Sequence, residues 1–168
     1  MTTKTSDFET RCAALRQAYL KPSDQRPATT VRGVHHLAMI CRDVEQTIRF
    51  YQDVLGFPLV ELFENRDYKE STHFFFDIGN GNLLAFFDFP GLGLKPGVES
   101  IGSVQHVAIS IEKERFDTLK ERLDARGIKY VGPDRGLSGS IYFKDPNGIQ
   151  IELLNEPLRE MGGRRLGG

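Results

Sequence analysis

The apolar positions of this chain recur with two different periods, and the sharpest of them lies near its end. From Ser140 to Leu154, Ile141, Tyr142 and Phe143 form one β-prone run. Ile149, Ile151 and Leu153 then alternate with Gln150 and Glu152. Between the runs, Asp145-Pro146-Asn147-Gly148 carries turn chemistry at every position. The stretch reads as strand, tight turn, strand. Alternation places Gln150, Glu152 and Leu154 on one face and Ile149, Ile151 and Leu153 on the other. A carboxylate in the middle of so apolar a strand is costly to bury unless something cationic meets it.

The rest of the chain repeats this vocabulary. Phe8, Cys12, Leu15 and Tyr19 recur at helical spacing behind Ser6-Asp7-Phe8-Glu9, a capping box, so a short amphipathic helix is expected over Ser6–Leu20. Pro22 and Pro27 mark a linker. A strand follows over Val31–Cys41. Asp43 then caps a helix to about Leu55 with Val44, Ile48, Tyr51 and Leu55 facing in, and Gly56 ends it. Strands are expected at Phe57–Glu64, Ser71–Ile78 and Leu83–Phe89, the last two joined by Gly79-Asn80-Gly81-Asn82. Pro90–Gly102 is a patternless connector. The order then recurs: strand Val104–Ile111, helix Lys113–Arg126 stopped by Gly127, strand Ile128–Val131, loop Gly132–Leu137, and the closing hairpin.

The pattern is therefore βαβββ twice, an α+β fold built by internal duplication. His36 and His106 stand in the two first strands, Gly56 and Gly127 follow the two helices, and Ala85 and Glu152 occupy matching places in the two last strands. Three segments are expected: an N-terminal helix and linker at 1–30, a duplicated domain at 31–156 with modules 31–90 and 103–156, and a tail at 157–168. A content of 39% hydrophobic and 27% charged residues suits one compact domain or two small modules sharing a core. The net charge of -1 gives no electrostatic reason to expect nucleic acid or an anionic membrane. No apolar run would span a bilayer. Two cysteines, Cys12 and Cys41, do not make a disulfide framework, so a reduced, cytoplasmic setting is the expectation.

Four stretches carry a resemblance: Gly33-Val-His-His-Leu-Ala-Met-Ile-Cys-Arg-Asp43, Phe50-Tyr-Gln-Asp-Val-Leu-Gly-Phe57, Val104-Gln-His-Val-Ala-Ile109 and Tyr142-Phe-Lys-Asp-Pro-Asn-Gly-Ile-Gln-Ile-Glu152. In this order they resemble the vicinal oxygen chelate superfamily, which includes glyoxalase I, the fosfomycin and bleomycin resistance proteins and the extradiol dioxygenases. The resemblance implies curved mixed sheets enclosing a divalent metal. It places the metal ligands at His36, His106 and Glu152. Two imidazoles and one carboxylate leave open coordination positions and suit Fe(II), with Mn, Ni, Zn or Mg as alternatives. His35 alternates to the opposite face of its strand and receives no metal role.

Departures from the family's patterns choose among its members. Glyoxalase I takes a fourth ligand from the last strand of the first module, where this chain has Ala85. Fosfomycin transferases share the His, His, Glu set, and Ser140 and Tyr142 resemble residues of their site. The loop before Ser140 lacks their phosphonate-holding lysine and serine. The extradiol signature is met by Tyr142, Asp145, Pro146, Gly148 and Glu152, although Arg135 stands near the place of an expected histidine. His73 is the candidate acid/base of the first module, and Phe74, Phe75, Phe76, Phe86, Phe87 and Phe89 favour a flat apolar ligand.

The expectation is a dioxygenase of the extradiol type, with Fe(II), O2 and a small catechol-like substrate, and with His73 and Tyr142 as catalytic residues. The alternatives are a glyoxalase-like lyase or isomerase, and a binding protein with a vestigial metal site. A homodimer is expected, because each module is an open sheet and open edges invite pairing. The connector is long enough for His36 to come from one chain and His106 with Glu152 from the other.

Overall fold

A computed structural model describes residues 3–132 and 139–167, with side chains from residue 7 onward. The loop expected at 132–137, with Arg135, falls almost wholly outside the described residues. Two compact units are distinguished, one holding the N-terminal helix as far as Arg32 and the other running from Gly33 to Leu166.

The N-terminal helix α1 spans Thr3–Tyr19, so Ser6 lies inside its first turns and does not cap it. Its expected apolar stripe is open to solvent: Phe8, Leu15 and Tyr19 are all more than half exposed.

The second unit contains the duplicated domain. Its first module runs β1 (His36–Ile40), α2 (Val44–Ile48), β2 (Leu59–Glu64), β3 (Thr72–Asp77) and β4 (Leu83–Phe87). Asp43 caps α2 as expected, its Oδ1 accepting from the Gln46 N–H at 2.8 Å. Beyond Ile48 the helix widens into a π-turn over Arg49–Val54, with the Leu55 N–H donating to the Phe50 carbonyl at 3.1 Å. This turn buries Phe50, Tyr51 and Val54 together. Gly56 closes it at φ +75°, a conformation that favours glycine.

The second module runs β5 (Val107–Ser110), α3 (Lys113–Ala125), β6 (Tyr130–Val131), β7 (Ser140–Lys144) and β8 (Gln150–Leu154). Every expected strand of the two modules forms, most of them shorter than the hydrophobic pattern. The tail folds into a small hairpin of β9 (Glu160–Met161) and β10 (Arg164–Arg165). The Gly162 and Gly163 N–H groups of its turn donate to Glu156.

Each module makes one four-stranded mixed sheet, in the orders β1-β4-β3-β2 and β5-β8-β7-β6. β1 is parallel to β4 and β5 to β8, while the remaining pairs are antiparallel. The registers match across the duplication: Ala38 faces Ala85, and Ala108 faces Glu152. The α+β architecture is thus the one the repeat predicts.

One face of each sheet feeds a shared core. Phe74, Phe76 and Phe86 are fully buried around Tyr51, whose ring lies 5.2 Å from Phe76 and 5.0 Å from Phe86. Phe50 meets Phe143 of the second module at 6.2 Å. Leu119, Leu123, Ile141, Ile151 and Leu153 complete it. Each fully buried apolar side chain contributes about 1.5–3 kcal/mol, which makes this core the main bond between the modules. A polar seam reinforces it. The Tyr51 hydroxyl donates to Asp145 at 3.1 Å, Asn147 donates to Thr47, and the Arg42 N–H donates to Asn147.

The other faces stay partly open, with His36, Ala38, Ile40 and Ala108 exposed. β1 and β5 are edge strands, and the two sheets do not close on one another. Within one chain they therefore do not enclose the metal site that the resemblance implies.

Candidate metal centre

The parallel pairing of β5 with β8 sets His106, the residue just before β5, beside the middle of β8. The His106 Nε2 lies 3.0 Å from Glu152 Oε2. Glu152 is 7% exposed, although it belongs to the open face, because Tyr142 on the neighbouring strand covers it. The Tyr142 hydroxyl donates to Glu152 Oε1. The polar partners that a mid-strand carboxylate calls for are thus the His106 imidazole and the Tyr142 hydroxyl.

His36 begins β1 on the open face of the first sheet. Its ring lies 6.4 Å from His73 and 5.8 Å from Phe75. His73 stacks on Phe87 at 3.7 Å between ring centroids and meets the edge of Phe63 at 5.2 Å. Its Nε2 is enclosed without a hydrogen-bond partner among the described residues. Burial first, and the neighbouring His36 second, lower its pKa from the usual 6.5. Phe75, Phe87 and Phe63 therefore share the face of the two histidines, while Phe74, Phe76 and Phe86 belong to the core. The sequence could not make that division, because it depends on which face the helix covers.

Among the described residues of one chain, no group of three or more His, Cys, Asp or Glu side chains could hold a metal ion. His106 and Glu152 converge, and His36 stands apart from them with His73. The donor set still fits a divalent ion. Two neighbouring ligands at right angles, with bonds of roughly 2.1 Å, are separated by about 3.0 Å, and His106 and Glu152 have that spacing. The first module offers no further ligand at the matching point of β4, since Ala85 is fully buried.

Other candidates lie away from this centre. A cavity of about 870 Å³ runs beneath the connector, between Arg42, Phe89, Leu94, Lys144 and Gln150, and includes none of His36, His106 and Glu152. Burial pushes the Cys41 thiol up to about 11, which leaves it an inert core residue. Sequence reasoning missed two neighbours of the candidate ligand histidines. His35 Nδ1 lies 2.9 Å from His36 Nδ1, and Gln105 Oε1 contacts His106 Nδ1. The strand reading gave His35 no metal role; its carbonyl accepts from the Leu83 N–H at 3.3 Å at the edge of β1, and its ring meets that of His36.

Two open mixed sheets of βαβββ connectivity, with a histidine and carboxylate pair on one of them, define the class. Residues 33–153 match the family model of the Glyoxalase/Bleomycin resistance protein/Dioxygenase superfamily. The chain belongs to that superfamily. It is 34% identical over 127 residues to a Bacillus subtilis protein provisionally named ring-cleaving dioxygenase MhqE, covering 74% of this chain and 41% of that one. It is 28% identical to metallothiol transferase FosB of Lysinibacillus sphaericus, covering 78% of this chain and 87% of FosB. A solved Bacillus subtilis structure provisionally described as a dioxygenase superposes with a TM-score of 0.66 at 27% identity, covering 76% of this chain and 41% of that one. Fosfomycin resistance protein FosX of Listeria monocytogenes, solved with Mn(II), shares the fold with a TM-score of 0.58 at 22% identity, covering 77% of this chain and 96% of that one. The chain spans about two fifths of the length of its dioxygenase-named relative. Among the described residues no helix is long and apolar enough to cross a membrane.

Proposed function

We propose that this chain forms a metal-dependent enzyme of the ring-cleaving dioxygenase type, acting on a small catechol-like substrate, with each active site shared between two copies. The observation that carries the reading is the half-site His106–Glu152, at 3.0 Å on an open sheet face. It lacks one ligand, and the face bearing His36 lacks two. A second copy that set the first sheet of one chain against the second sheet of the other would unite His36 with the partner copy's His106 and Glu152.

A divalent ion held by these three side chains, Fe(II) first among the candidates, would supply Lewis acidity towards vicinal oxygens and redox chemistry with O2. The chain's own residues would do the rest. Tyr142 holds the Glu152 carboxylate in one orientation. Phe63, Phe75 and Phe87 offer a flat wall to an aromatic ring. His73, with its lowered pKa, is neutral near pH 7 and can accept a proton from a substrate hydroxyl at Nε2 once the wall opens. The apolar wall favours a flat ring over a phosphonate.

The site assignment is tested by metal content and by mixing. His36→Ala, His106→Ala and Glu152→Ala should each lose stoichiometric metal after anaerobic Fe(II) loading. Full metal in all three variants would remove the assignment. A mixed dimer of His36→Ala and Glu152→Ala chains should regain one complete site of its two, and with it oxygen uptake on catechols. No recovery in proven mixed dimers would place the sites within single chains. Turnover without oxygen uptake would point instead to the glyoxalase-like reading, against which the methyl group of Ala85 weighs.

A further inference from the structure

The two modules share a feature beyond their ligand histidines. In each, the residue immediately before the histidine touches its Nδ1: His35 Nδ1 lies 2.9 Å from His36 Nδ1, and Gln105 Oε1 contacts His106 Nδ1. His35 directly precedes β1 and Gln105 stands two residues before β5, and both are exposed. Neither has a role in the core, so packing does not explain why both side chains fold back on the next ring.

We infer that His35 and Gln105 are positioning residues, which fix the hydrogen of each ligand imidazole on Nδ1 and so present Nε2 to the metal. The inference rests on the ligand assignment proposed above. An amide oxygen only accepts hydrogen bonds, so Gln105 Oε1 requires the hydrogen of His106 to sit on Nδ1. The opposite nitrogen, Nε2, is the one that faces Glu152 at 3.0 Å. For His36, one of two facing Nδ1 atoms must donate and the other accept. When His36 binds through Nε2, its Nδ1 carries the hydrogen and donates to the lone pair on His35 Nδ1. The His35 hydrogen then sits on its own Nε2. An outer partner on the non-ligating nitrogen sets the ring's tautomer and orientation and raises the basicity of the ligating one. Because the two arrangements occur in unrelated side chains at matching positions, the duplication has kept the contact while changing the residue.

The test uses the full-length protein and Zn(II), with Co(II) as a spectroscopic probe. Nitrogen NMR of the Zn(II) form should show hydrogen on Nδ1 and metal on Nε2 for both His36 and His106. Metal affinity, measured by competition with a chelator, should fall about 10–100-fold in Gln105→Leu and in His35→Phe. Gln105→Glu and His35→Asn, which keep an acceptor, should stay within about threefold of the parent. The Co(II) absorption bands should shift in the first pair and hold in the second. Both residues changed are exposed, and unchanged melting of the four metal-free variants confirms that folding is not what is being read. Parent-like affinity in Gln105→Leu and His35→Phe, alongside metal loss in Glu152→Ala, would overturn the positioning roles and leave the metal site standing. Ligation through Nδ1 would overturn them equally. No stoichiometric metal in the parent protein would overturn the site itself and the inference with it.

Discussion

Replacing Tyr51 by Phe removes one oxygen from the seam between the modules. The ring is fully buried and keeps its contacts with Phe76 and Phe86. What is lost is the 3.1 Å bond from the hydroxyl to Asp145 Oδ2. A hydrogen bond to a charged acceptor is worth about 1.5–3 kcal/mol. Asp145 Oδ2 retains the Asn147 amide at 3.0 Å, and Oδ1 retains the backbone N–H groups of Asn147 and Ile149, both at 2.8 Å. The remaining partners hold the loss to the lower end, about 1.5 kcal/mol. For a domain of this size that lowers Tm by about 3–6 °C. Thermal and urea unfolding at one fixed protein concentration, without added metal, measure it. The Asp145→Asn background completes a double-mutant cycle, in which the effect of Tyr51→Phe should shrink. A loss below about 0.5 kcal/mol, or the same loss in both backgrounds, would refute the view that this bond ties the modules together.

Further outcomes follow from single contacts. Phe86→Ala, at a wholly buried site, should cost about 3–5 kcal/mol in urea unfolding. Asp43→Ala should cost about 1 kcal/mol through loss of the α2 cap, and Asp43→Asn should recover most of it. Gly56→Ala should destabilise by about 1 kcal/mol or more, because φ is +75° and the new Cβ would meet Arg122 Nη1 at 3.3 Å. The lowered pKa of His73 means that the unfolded chain takes up its proton first as pH falls. Stability should be full above about 6.5 and decline below it, with a shallower decline in His73→Phe. Equal slopes in the two proteins would show that another group governs the effect.

The amino-acid sequence by itself determined the repeat. Strand alternation, Asp43 before α2, Gly56 behind it and the Asp145–Gly148 turn are local signals, and each acts within a few residues of the atoms it controls. The βαβββ order follows from them, whereas the parallel β5–β8 register that sets His106 beside Glu152 joins residues far apart in the chain. Tertiary structure decided the rest. Which phenylalanines line the open face depended on where the π-turn laid Tyr51, and a π-turn leaves no pattern that differs from an α-helix over six residues. The contact of His35 Nδ1 with His36 Nδ1 left no mark in the sequence, because it depends on how two adjacent rings turn at the start of β1. His36 and His106 fall at matching places in their modules, yet among the described residues one chain does not bring His36 together with His106 and Glu152. Their separation depends on how the helix faces pack, a contact between residues about a hundred positions apart in the chain, and no periodicity in either module encodes it.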